Sequence, residues 1–199
     1  MAFRFNSFIG LVLAERLAGP PGPSLFAVLI GVCVPLFNVS AVWPMARHAQ
    51  RGLLSELARN PLIIATVGGV LFNVAGLTIP LWMEPTVSRL GAASLALGLM
   101  AAGVGMQFTA LSGAKSLAVA LLAIRHFLLP MVAVSVSWAL HLSPTQATVL
   151  LTFSGLPTAS GCYVLATRMG YDGSYVAGLV TLSTLLGMLS LPFALGLLQ

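Results

Sequence analysis

Residues 149–170 read VLLTFSGLPTASGCYVLATRMG, an apolar run long enough to cross a bilayer, with a proline, a threonine, a serine and a glycine at its centre. In hydrocarbon no water repairs a broken backbone, so a spanning segment is a helix or part of a closed barrel. Pro157 lacks the N–H that an interior helical residue donates, and its ring collides with the preceding turn, at a cost of about 3 kcal/mol. Freed backbone groups persist at membrane depth only where they line a cavity or are satisfied by neighbouring protein. The LPTASG stretch therefore predicts two half-helices joined by unwound backbone near Pro157. A proline kink that merely shapes packing is the competing reading.

Composition places that break in a membrane. The chain has 199 residues, 58% of them hydrophobic and only 7% charged, where a soluble domain carries about 25%. The mean hydropathy is +1.02. A net charge of +5 does not indicate nucleic acid, because nine basic residues scattered along the chain form no stripe for phosphates to follow. Cys33 and Cys162 fall inside apolar spans, and no Cys/His cluster has metal-ligand spacing, so neither a metal nor a cofactor is expected. No Ser/His/Asp, paired-acid or metal constellation marks an enzyme.

Reading about 20 apolar residues per crossing gives an all-α, multi-pass transmembrane bundle of seven spans: Phe5 to Ala18, Phe26 to Ala46, Pro61 to Trp82, Leu90 to Met106, Leu117 to Leu140, Ala147 to Thr167 and Tyr175 to Leu198. MEPTVSR and HLSPTQ read as connections, and Leu53 to Arg59 as a short amphipathic turn at the interface. With the N-terminus inside, inner loops hold Arg4, Arg47, Arg51, Arg59, Lys115 and Arg168, and outer loops clearly hold Arg89 alone. That asymmetry predicts a cytoplasmic N-terminus and an external C-terminus.

The sixth span can be laid over the first. VLAERL (Val12 to Leu17) matches VLATRM (Val164 to Met169) at four of six positions, and SLFAVLI (Ser24 to Ile30) then matches SYVAGLV (Ser174 to Val180). Five spans separate the copies, so they cross the membrane in opposite directions, as in transporters built from inverted repeats. A five-helix unit ending at the second span would begin three helices before Met1. The expected organisation is thus 1–46 as the last two helices of one repeat, 47–60 as a cytoplasmic connector and 61–199 as a complete second repeat.

FRFNSFIGLVLAERLAG, NPLIIATVGGVLFNVAGLTIP and LPTASGCYVLATRMGYD together resemble the auxin efflux carrier family, and within it the bacterial branch of malonate and malate permeases. Asn60-Pro61 opening a span, with Pro157 in a Pro-Thr-Ala run 96 residues later, is the most specific part of the likeness. It covers essentially all of the chain but only the C-terminal two-thirds of a typical member. The resemblance implies ten helices in two inverted five-helix repeats, with broken helices crossing at the substrate site. It also implies a bacterial inner membrane, a periplasmic C-terminus and transport of a small organic anion by alternating access. Where many members carry a proline after the glycine of the first crossing helix, this chain reads Gly10-Leu11-Val12, so Asn6 and Gly10 are expected to loosen that helix instead.

On this reading Pro157 ends one half-helix and Thr158, Ala159, Ser160 and Gly161 begin the next, whose N–H groups and positive dipole end suit a carboxylate. Asn6 faces the same region in the repeat alignment. Asn38 and Asn73 could be ligands or interhelical hydrogen-bond partners, as could Ser154 and Gln107. Arg125 could snorkel or attract the anion, and His126 could carry a proton. No carboxylate occupies the middle of a span, so coupling to H+ or Na+ stays open. So does a homodimer. Two other readings stand beside the carrier: a transport-inactive fragment or partner subunit, and a sodium-coupled symporter of the bile-acid type.

Overall fold

A computed structural model describes residues 3–46, 61–104, 115–168 and 170–196. The expected connector at 47–60, with its amphipathic turn, and Gln107 lie outside the described residues. Among the described residues the structure is helical and has no β-strand.

The helices are α1 (Ser7–Ala18), α2 (Gly22–Ala46), α3 (Pro61–Val74), α4 (Glu84–Val104), α5 (Lys115–Ala123), α6 (Leu129–Ala139), α7 (Pro144–Gly155), α8 (Gly161–Arg168) and α9 (Gly173–Gly196). A single π-helical turn, Ile124–Leu128, joins α5 to α6. Among the described residues, two continuous helical stretches are long and apolar enough to cross a membrane by length and composition, namely Lys115–Ala139 and Gly173–Gly196. By contrast α1 and α7 have 12 residues each and α8 has eight. At 1.5 Å per residue none of these three can cross about 30 Å of hydrocarbon alone.

Helix ends follow local chemistry. The third span was expected to run to Trp82, yet α3 stops at Val74. There Gly76 takes φ +68°, Gly76 N–H donates to Asn73 C=O and Leu77 N–H donates to Phe72 C=O. Those two bonds and a left-handed glycine form a Schellman stop, which only a residue without Cβ adopts freely. The stretch MEPTVSR, expected as a connection, instead opens α4, with Glu84 in its first turn. A carboxylate there suits the helix dipole, and Pro85 gives up an N–H that has no helical acceptor in the first turn. Helix α7 begins with a capping box: Ser143 Oγ accepts from Gln146 N–H while Gln146 Oε1 accepts from Ser143 N–H.

The chain forms two compact units, one comprising 1–26 with 101–199 and the other 27–100. In the first, Ala133, Val134, Leu151 and Ala194 make a buried core joining α6, α7 and α9. A second cluster of Cys162, Ala166 and Val176 joins α8 to α9. Phe5, Phe26 and Phe153 form an edge-on aromatic trio with ring centroids 4.6 to 6.3 Å apart. In the second unit Gly31 packs close to Val70, bringing α2 against α3.

Helix α6 ends with a histidine at the left-handed position. His141 sits at φ +48°, its N–H donates to Trp138 C=O, and Leu142 N–H donates to Ser137 C=O. A side chain there costs about 1 kcal/mol. His141 is exposed, so His141→Gly should raise resistance to unfolding by about 1 kcal/mol, read by SDS titration in detergent micelles.

Candidate functional site

Helix α7 stops at Gly155, Leu156 is extended at φ −60° and ψ 144°, and α8 starts only at Gly161. The five residues between are unwound and mostly deeply buried; Leu156 is 0% and Thr158 2% exposed. A second extended stretch, Arg4 to Asn6, precedes α1 and lies antiparallel across the first. Asn6 N–H donates to Pro157 C=O at 3.0 Å, Ala159 N–H donates to Arg4 C=O at 3.2 Å, and Phe5 and Thr158 face each other between these bonds. Each segment thus satisfies groups that the other's missing helix leaves open.

Four further contacts hold the break. Arg125 Nε donates to Leu156 C=O at 2.6 Å, which caps the carbonyl end of α7. Thr158 N–H donates to Ser183 Oγ of α9 at 2.9 Å. His126 places Nε2 3.1 Å from the same Ser183 Oγ and Nδ1 2.8 Å from Ser190 Oγ. Consecutive residues of an ordinary α-helix diverge by about 100°. Here the wider π turn carries both Arg125 and His126 inward, at 3% and 6% exposure. π turns recur at functional sites.

Asn6 is the N-cap of α1, with Oδ1 accepting from Phe8 N–H at 3.1 Å and Ile9 N–H at 3.3 Å. Its amide NH2 makes no hydrogen bond among the described residues. Gly10 does not loosen α1. The helix passes through it, with Gly10 N–H bonded to Asn6 C=O at 3.0 Å, so the unwinding lies upstream at Arg4 to Asn6. A methyl group at Gly10 would run into the Phe26 ring and lie 2.7 Å from Leu156 Cδ1, so the glycine is there for close packing on the break. Asn38 lies on α2, and its side chain is outside the described residues; Asn73 is exposed in the last turn of α3, in the other unit. Ser154 is buried, and its hydroxyl donates to Leu151 C=O.

Sequence reasoning missed Ser183, Ser190 and Arg4. The two serines sit in an ordinary apolar helix and acquire meaning only through contacts 25 to 64 residues away. Arg4, counted as an inner-loop charge, is a crossing residue. Its guanidinium lies within 3.9 Å of where a Gly161 methyl would sit, at the positive end of α8. Ser160 and Gly161 N–H have no backbone acceptor there among the described residues. A guanidinium, free N–H groups and a helix N-terminus at one spot can hold a carboxylate.

A family model described as membrane transport protein matches residues 15–195. The chain belongs to that family. This is the auxin efflux carrier family whose motifs the sequence resembles, a family of membrane transport proteins. Searches among curated proteins and among solved structures each found no match.

Gly10 and Gly161 flank the crossing with opposite tolerance, since a methyl at Gly161 meets only the Arg4 guanidinium tip. Gly10→Ala should cost about 1–3 kcal/mol through overpacking against a fully buried Phe26 ring. Gly161→Ala should change stability by less than about 0.5 kcal/mol. Thermal unfolding of both variants in detergent measures the contrast.

Proposed function

We propose that this membrane transport protein is a secondary transporter for a small organic anion, a mono- or dicarboxylate of the malonate or malate kind. The single observation supporting the reading is the antiparallel crossing of Arg4–Asn6 with Pro157–Ala159, where two chain breaks meet inside protein beside a guanidinium and a helix N-terminus. Unwound backbone satisfied by protein rather than lipid is the setting in which transporters bind substrate near the midplane.

On this reading α7 and α8 are the halves of one broken span, α1 is the downstream half of the other, and the seven apolar segments belong to a five-plus-five inverted-repeat fold. The substrate carboxylate sits among Arg4, the Asn6 amide and the N–H groups of Ser160 and Gly161, with Pro157 and Thr158 setting the backbone path. Arg125 holds the carbonyl end of α7 in place. Rocking of the bundle about the crossing exposes the site to one side and then the other. The positive-inside count supports a cytoplasmic N-terminus and a periplasmic C-terminus in a bacterial inner membrane.

Asn6 separates ligand from scaffold. Asn6→Asp keeps the capping acceptor, removes the NH2 donors and sets a negative charge against an anion. Uptake of radiolabelled malonate into liposomes containing the purified chain should then fall by about tenfold or more, with stability within about 0.5 kcal/mol of the parent. Asn6→Ala should lose uptake and about 1 kcal/mol together. Parental uptake by Asn6→Asp would remove the crossing as the binding site.

A further inference from the structure

The hydroxyl of Ser183 is fully buried and has three polar neighbours: Thr158 N at 2.9 Å, His126 Nε2 at 3.1 Å and Thr158 Oγ1 at 3.2 Å. A hydroxyl offers one proton and two lone pairs. Thr158 N–H can only donate, so it occupies one lone pair. One lone pair and one proton are left to divide between His126 and Thr158 Oγ1.

Only two divisions exist. When His126 Nε2 is bare, Ser183 donates to it and Thr158 Oγ1–H donates to Ser183. Thr158 then presents only lone pairs to the crossing. When Nε2 carries a proton, it donates to Ser183, Ser183 must turn its own proton to Thr158 Oγ1, and the Thr158 proton is released. Imidazolium permits the second arrangement alone, with Ser190 Oγ accepting from Nδ1–H. At 2% exposure, a released Thr158 donor is costly unless an acceptor arrives beside it.

We propose that Ser183 is a positioning residue that writes the charge state of His126 onto the Thr158 hydroxyl, so that proton uptake at His126 prepares the crossing for an anion's oxygen. The inference rests on the crossing being an anion site. Starting from the neutral ring with its proton on Nδ1, donated to Ser190 Oγ, His126 takes one proton from water for each anion held. None travels along the serine and threonine, whose hydroxyls rotate and keep their own protons. A bound anion acceptor favours the released donor and hence protonated His126, so the two ligands strengthen each other reciprocally.

The surroundings leave His126 with one charged neighbour among the described residues, Arg125 on the same turn. Helices α6 and α7 carry no titratable side chain, α5 carries Lys115 at its exposed first residue, and α9 carries Tyr175, eight residues before Ser183. Cys162 of α8 has Arg4 and Arg125 among its own charged neighbours.

Malonate affinity of the purified chain in nanodiscs, measured by calorimetry between about pH 4 and 8, tests this. The ligand's own ionisation is common to every variant and cancels in the comparison. The parent should bind about tenfold more tightly as His126 takes up its proton, and Thr158→Ser, which keeps the hydroxyl, should retain that dependence. Thr158→Val, Ser183→Ala and His126→Gln should flatten it to the ligand's own titration. Should Ser183→Ala fail to fold, the Thr158→Val and Thr158→Ser pair still decides. Dependence lost in His126→Gln but kept in Thr158→Val would mean plain charge attraction and overturn the relay. Binding with no such dependence in the parent would overturn it too, leaving the anion site standing. Absence of malonate binding at every pH would remove the site and the relay together.

Discussion

Two backbone hydrogen bonds, Asn6 N–H to Pro157 C=O and Ala159 N–H to Arg4 C=O, make the rest of the site possible. An unwound strand in apolar surroundings exposes donors and acceptors that each cost about 1–3 kcal/mol if left unmet. One broken segment would need water or a dense shell of side chains. A pair of them, laid antiparallel, supplies much of that need mutually, while Arg125 meets Leu156 C=O and Ser183 meets Thr158 N–H. The polar chemistry of this protein is therefore concentrated where two defects cancel.

The approaches to the crossing resemble one another. Each downstream helix, α1 or α8, runs to a glycine with positive φ, Gly19 at +71° or Gly170 at +75°. Each is followed three residues later by a glycine with no room for a side chain, Gly22 against the α1 backbone and Gly173 against Thr167 and Tyr163. Both pairs are 151 residues apart, one less than the offset between VLAERL and VLATRM. A glycine at each corner lets the following long helix start hard against the preceding short one, so the two corners share one local geometry.

How much of this was legible depended on range. Pro157 announced its break because a proline inside an apolar run forfeits a helical hydrogen bond wherever it sits, and Asn6 stood out as an amide among apolar residues. Gly10 misled. Glycine reads equally as a loosened turn or a close approach, and only the positions of Phe26 and Leu156 decide between them. Gly76 as a helix stop was written in AGLTIP, but hydropathy carried the expected span past it to Trp82. Ser183 gave no signal, since a serine can satisfy itself on its own helix and look the same in sequence. Arg125 and His126 were visible as oddities, but the π turn that points both inward is set by packing and has no short motif.

That turn has a consequence for how the chain can vary. A π turn holds one residue more than the same length of α-helix, so its register is an integer count as well as a shape. Losing one codon anywhere between Ile124 and Leu128 would restore a regular helix between the same two flanks and withdraw the wider turn that carries Arg125 and His126 inward. Arg125 and His126 would then be unable to face the break together. Apart from Arg125 and His126, what this segment has to keep is its length.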